Sequence, residues 1–334
     1  MTTTVSADAS SEAARGSAGA RAARRADPSG GPAQQRRPRF TATPYLMLAP
    51  AAVLFVLFMA APIVYTLVLS LQKTQVSGLG LGSGSRKTVF AGLSNYAAAL
   101  GDPDFVSSVG RVGLYGLIVV PTMLILALVF ALLLDSRRTR LVGFSRVVIF
   151  LPYAVPAVIS SLLWGFLYLP SVSPFVDLAT SLGIPAPNLL SPNSVIFAIA
   201  NIALWGGVGF NMVVMYTSLK AIPSDIYEAA RLDGAGEIQV AIRIKIPIIL
   251  PSLIMTAIFS LIATLQVFAE PTTLKPLTNS ISSTYTPLMK VYRDAFTRND
   301  VYSASATSIV IAVAIFALSF FFLRVVQKRA FEEN

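Results

Sequence analysis

Residues 223–251 read PSDIYEAARLDGAGEIQVAIRIKIPIILP, a polar stretch set between two apolar ones. Pro223, Ser224 and Asp225 have the composition of a helix start, with an early proline and short polar side chains able to cap free N–H groups. Ile226 to Leu232 suits a helix. Gly234 and Gly236 allow a left-handed turn that would stop it. A second helical stretch follows and meets Pro247 and Pro251 as the next apolar span begins. Two short helices at a sharp angle would form a knob on a membrane surface that a soluble partner could grip. The alternative is an ordinary inter-helix loop with capping residues.

The rest of the chain makes a membrane the setting. Of 334 residues, 54% are hydrophobic and 13% charged, against ~25% charged in soluble domains, and the mean hydropathy is +0.69. There is no cysteine and no histidine. A disulfide framework and thiol-ligated metal are therefore excluded, and the commonest general base is missing. Six stretches carry no charge and exceed the ~20 residues that cross a bilayer: 45–71, 112–134, 147–169, 194–219, 246–269 and 301–323. Without water in the hydrocarbon, helices satisfy their backbone, so the expected fold is an all-α integral membrane protein of six transmembrane helices.

Eighteen of the 26 Lys and Arg fall in the N-terminal segment, residues 135–146, the loop 220–245 and the C-terminal tail. The positive-inside rule puts these four segments, and both termini, in the cytoplasm. This distribution explains the charge of +10 without nucleic acid. Residues 1–44, rich in Ala, Gly, Ser, Pro and Arg, are expected to be a disordered tail, and 330–334 a short C-terminal tail. A signal peptide is not expected, because the first apolar run has 27 residues, beyond an h-region of ~7–15. The glycine-rich segment Gly78–Thr88 lacks the Gly-x4-Gly-Lys-Ser/Thr spacing of a phosphate loop and reads as a flexible external loop. No cofactor is expected on this chain.

Polar and aromatic residues inside the spans need a partner or a water-filled cavity. Tyr153 lies in LPYAVP, where two prolines break the helical ladder. Asn201, Trp205, Gly206, Gly207, Gly209, Phe210 and Asn211 lie in the fourth span. Ser260 and Thr264 share one face of the fifth; Gln266 is about 200° round from Thr264, and Glu270 stands at the outer end. Aromatic faces with hydroxyl and amide groups suit a neutral polyhydroxylated ligand. An ionic one would call for an intramembrane charge. Ordinary helix packing, in which Gly, Ser and Thr are common, is the competing explanation for each residue taken singly.

The loop resembles the signature of the inner-membrane permease subunits of ATP-binding-cassette importers: Glu-Ala-Ala, three residues, Gly, nine residues, Ile, one residue, Leu-Pro. Here these are Glu228-Ala229-Ala230, Gly234, Ile244 and Ile246-Pro247, with Asp233 before the glycine. Ile246 replaces the usual leucine, and Ile238 and Ala241 stand where aromatics are common. Over about 45–329 the chain is similar to the maltose-type carbohydrate permeases, through LPYAVP, Trp205–Asn211 and Lys220–Ala235. The resemblance implies a type I importer permease fold in a bacterial inner membrane, with Glu228, Ala229, Ala230, Asp233 and Gly234 coupling to an ATPase. It implies sugar-pathway residues at Tyr153, Ala157, Gly207, Phe210, Ser260 and Thr264, beside Trp205 and Gln266. It also implies partners: a second homologous permease, two cytoplasmic ATPase subunits holding ATP-Mg, and an external sugar-binding protein. The chain itself would catalyse nothing. A glycerol-phosphate permease shares these motifs and stays open as an alternative, as does an ion-coupled secondary transporter.

Overall fold

The computed structural model describes residues 43–76, 86–136 and 139–331. Of the tail expected over 1–44, residues 1–42 lie outside them and residues 43 and 44 begin a helix instead; the glycine-rich stretch 77–85 also lies outside. The chain divides into two units, Met1–Leu54 and Phe55–Asn334. The described part of the first is helical, and its side chains from Tyr45 to Leu54 are exposed.

The first span is helix α1 (Thr43–Phe55), a π turn at Val56–Ala60 and α2 (Ala61–Ser70). The widened turn stands just before Pro62, whose ring and missing N–H fit poorly into a regular α-turn. Strands β1 (Gln72–Val76) and β2 (Arg86–Phe90) pair antiparallel. Arg86–Thr88, expected in a flexible loop, is thus strand. Helix α3 (Ser94–Gly101) leads to α4 (Pro103–Asp135), which starts cleanly because the Asp102 side chain accepts from the Asp104 N–H at 2.8 Å, with Pro103 in the first turn.

The expected third span, 147–169, is two segments. Helix α5 (Val142–Phe150) runs into a 3-10 turn at Leu151–Ala154, and α6 (Ala157–Tyr168) leaves at 94° to it. Pro152 and Pro156 bracket the break and remove two backbone donors there. After α7 (Pro174–Ser181), α8 (Val195–Lys220) crosses unbroken. The loop helices α9 (Ser224–Leu232) and α10 (Glu237–Val240) follow, then a second π turn, Ala241–Lys245, immediately ahead of Pro247 in α11 (Ile246–Ile248). The fifth span begins at α12 (Leu250–Leu265) and stops earlier than expected, at Gln266–Phe268, before α13 (Ala269–Leu274). Helices α14 (Pro287–Tyr292) and α15 (Val301–Phe331) complete the chain, so residues 330 and 331 are helical rather than tail. Among the described residues, five helical stretches are long and apolar enough to span a membrane, and the bent pair supplies the sixth.

Helix α8 is central. It packs on α4, α5, α6, α12 and α13, while α15 packs on α2, α3, α12 and α14. The buried stripe of α4, Tyr115, Val119, Met123, Ala127, Ala131 and Leu134, shares one core with Met212, Met215 and Leu219 of α8. Lipid tails are as apolar as these side chains, so close packing rather than water exclusion joins the helices, and Ala127 and Ala131 permit the approach. At the end of the bundle away from the signature loop, buried Lys290 bonds Asp294 at 2.6 Å and Asp102 at 3.0 Å. Burial alone would raise the Asp102 carboxyl, but the bonds from Lys290 and from the Asp104 N–H outweigh it and hold it below its usual range.

Candidate functional site

Helix α8 meets the break between α5 and α6 at a point that only glycine allows. A Cβ on Gly209 would stand 2.2 Å from the Ile149 carbonyl oxygen and 2.7 Å from Phe150 Cα. This approach brings the next residue, Phe210, under the 3-10 turn. Its ring stacks on Tyr153 with centroids 4.9 Å apart and planes at 21°. Gly207, nearly a turn back, leaves room for the tip of Met123, which a Cβ would meet at 2.6 Å.

The stacked pair forms one wall of a cavity of about 740 Å³. Its lining joins α4, through Tyr115, Val119 and Met123, to the broken span, α8, α12 and the start of α13. Seven of the eight pathway candidates stand around it: Tyr153, Ala157, Gly207, Phe210, Ser260, Thr264 and Gln266. Ala157 opens α6, where a first-turn N–H has no intrahelical acceptor. Asn211 is fixed at both ends of its amide: Nδ2 donates to the Gly207 carbonyl at 3.0 Å, and Oδ1 accepts from Ser260 Oγ at 3.3 Å. Thr264 Oγ1 donates to the Ser260 carbonyl at 2.6 Å. Gln266 reaches the lining despite its angular offset because α12 ends at Leu265 and the chain turns.

Trp205 does not line the cavity. It is about 200° from Gly207 around α8, and its ring meets Trp164 of α6 edge-on at 6.0 Å. Asn201 lies in the same α6–α8 contact and donates to the Tyr168 hydroxyl at 2.8 Å. These residues hold the helices together away from the cavity. Glu270 moves the other way. Read as sitting at the outer end of a span, it lines the cavity from the first turn of α13. Among the described residues no Lys or Arg lines it. The signal missed was the break at Gln266–Phe268, which folds that outer end back onto the lumen.

At the opposite pole, α9 ends in a Schellman turn. The Ala235 N–H donates to the Ala230 carbonyl and the Gly234 N–H to the Arg231 carbonyl, both at 2.9 Å. Gly234 carries φ of +78°, where a side chain would be strained. Gly236 does not share this role; it is extended, with φ of −71°. Nor do Ser224 and Asp225 cap α9, whose N-cap position is Pro223 with no side-chain bond. Ala230 is buried, while Glu228, Ala229 and Asp233 face outward. Leu232 is 90% and Ile238 77% exposed beside them, an apolar rim around an acidic spot. The second short helix is a single turn that continues through the π turn into α11.

The family of binding-protein-dependent transport system inner membrane components matches residues 123–332, which takes in the broken span, α8, α12 and the loop, and α4 from Met123 onward. The chain belongs to that family. As an inner membrane component it also resembles curated relatives along most of its length. The sn-glycerol-3-phosphate transport system permease protein UgpA of Brucella abortus is 29% identical over 293 residues, covering 86% of this chain and 95% of that protein. UgpA of Escherichia coli O157:H7 is 28% identical over 292 residues, covering 86% and 94%. Among solved structures, a chain of a bacterial ABC transporter involved in import of the acidic polysaccharide alginate superposes with a TM-score of 0.73 at 19% identity, covering 86% of this chain and 95% of that one. The fold of this inner membrane component is that of an ABC importer permease.

Proposed function

We propose that this chain is one half of the translocation pathway of an ATP-driven sugar uptake system, with a second, homologous permease supplying the other half. The cavity carries this reading. A stacked aromatic pair offers a face for the C–H groups of a sugar ring, and Ser260, Thr264, Asn211 and Gln266 offer hydrogen-bonding groups around it. The signature loop, with both termini, would face the cytoplasm in accord with the arginine distribution. There α9 would dock in a groove of an ATPase partner that binds ATP-Mg, and hydrolysis would belong to that partner. A binding protein would deliver sugar at the other end, as the family description implies; a transporter of similar fold is known in complex with an alginate pentasaccharide-bound periplasmic protein.

The likeness to UgpA favours a second reading, sn-glycerol-3-phosphate. A phosphate dianion calls for a cation or an open helix N-terminus at the site. The described lining offers the first turn of α6 but a carboxylate, Glu270, and no Lys or Arg. A neutral sugar fits this chemistry better. Uptake of a panel of radiolabelled sugars and of sn-glycerol-3-phosphate by a strain lacking this chain decides between them. Loss confined to one or a few neutral sugars is expected; loss confined to glycerol phosphate overturns the sugar assignment.

A further inference from the structure

Both ends of the signature loop close on one carboxylate that lies outside it. The side chain of Asp135, the last residue of α4, is 5% exposed, and each of its oxygens holds a lysine. Lys220 Nζ, from the residue that ends α8, lies 2.8 Å from Oδ1. Lys245 Nζ, from the residue that ends the π turn before α11, lies 2.6 Å from Oδ2. The two legs differ: the Lys220 side chain is 53% exposed and Lys245 only 12%. Water competes with the first and is kept from the second, so Lys245 is the firm leg.

The contact reaches the docking helix itself. Lys245 Nζ sits 5.2 Å from the ring centroid of Tyr227, the neighbour of Glu228 on α9. From Asp135 the buried stripe of α4 runs up to Met123, Val119 and Tyr115, which line the cavity. A displacement of α9 that carries Lys245 with it must either move Asp135 or leave that carboxylate with the solvent-exposed Lys220 alone, and losing the buried leg is unfavourable.

We propose that Asp135 is a positioning residue that ties both ends of the loop to α4 and passes the loop's movement to the cavity wall. The proposal rests on the reading of the loop as the ATPase docking element. A clamp that only held the fold together would affect assembly and stability. A transmitting one affects the number of sugar molecules moved per ATP hydrolysed.

The test uses the full transporter in proteoliposomes and measures assembly, ATPase rate and sugar uptake together. Asp135→Asn and Lys245→Met should leave the complex assembled and hydrolysing ATP while uptake per ATP falls about tenfold, within the usual range of coupling between sites. Lys220→Met, at the solvent-exposed leg, should lower it less than about threefold, and Asp135→Glu should restore most of it. An unchanged ratio in Asp135→Asn overturns the proposal. So does loss of assembly in both Asp135→Asn and Lys245→Met, with assembly regained in Lys245→Arg at a normal ratio, because that pattern is a static clamp. Glu228→Lys separates the two levels. If it keeps full ATPase binding and uptake, the docking reading itself is wrong; if it uncouples while Asp135→Asn does not, only the role of Asp135 falls.

Discussion

Replacing Gly209 by alanine tests the packing that builds the cavity. The added methyl would lie 2.2 Å from the Ile149 oxygen and 2.7 Å from Phe150 Cα, where ordinary contact begins at 3.4 Å. Both obstacles are backbone, so no side-chain rotation relieves them, and α8 must separate from the end of α5 by about 1 Å at this crossing. Overpacking of this kind costs ~1–3 kcal/mol, and rigid neighbours place it at the upper end, a loss of about 100-fold in the folded-to-unfolded ratio at 1.4 kcal/mol per decade. The same shift moves the 3-10 turn from Phe210 and opens the ring stack. Two neighbours serve as controls. A Cβ on Gly207 meets only the mobile end of Met123, and one on Gly206 meets nothing within 4 Å. Heating the purified complex and measuring the fraction that stays monodisperse should rank Gly206→Ala near the parent, Gly207→Ala slightly below it and Gly209→Ala far below. Sugar uptake should follow the same order. A Gly209→Ala complex as heat-stable and as active as the parent refutes the close crossing and the cavity geometry that depends on it.

Tyr153→Ala and Phe210→Ala each remove one ring of the stacked pair; uptake should fall about 5- to 100-fold while ATP hydrolysis and assembly persist, given stacking and burial worth ~1–3 kcal/mol. Unchanged uptake with both rings replaced would move the pathway elsewhere. Glu270→Gln keeps a hydrogen-bonding group that cannot ionise, so uptake of an anionic sugar or glycerol phosphate should rise relative to a neutral sugar; no change in that ratio would show that Glu270 does not screen the substrate. Gly234→Val places a β-branched side chain at φ of +78° and should cost ~1–3 kcal/mol locally. Because the spans are untouched, the subunit should reach normal membrane levels yet release the ATPase during purification, and full retention of the ATPase would count against the loop as its dock.

The apolar runs made most of the fold legible, since length and charge decide what can cross a bilayer. The loop at 223–251 made the family legible, because Glu228-Ala229-Ala230 and Gly234 stand at a fixed spacing, and the Schellman turn gives the glycine its physical reason. What the sequence concealed lies where helices break. Periodicity places residues on faces only while a helix continues, so it kept Gln266 off the face of Thr264 and left Glu270 at a span end. The interruption at Gln266–Phe268 brings both to the cavity. Trp205 failed in the opposite way. Its motif marks it beside Gly207 and Phe210, but on an unbroken helix a two-residue step turns it to the opposite side, against Trp164. Lys220 and Lys245 counted only as topology-setting charges, since their shared partner Asp135 is 85 residues from one and 110 from the other along the chain.

On the proposed reading, this chain passes a neutral sugar at the expense of ATP hydrolysed by a partner docked on the signature loop. That reading is tested most directly in proteoliposomes that hold the complete transporter, with ATP on the loop side and sugar-loaded binding protein on the other. The measurement is accumulation of radiolabelled neutral sugar alongside phosphate release. Accumulation should require ATP, track its hydrolysis and exceed that of sn-glycerol-3-phosphate. Accumulation driven by a proton or sodium gradient without ATP, or a preference for the phosphate, would contradict it.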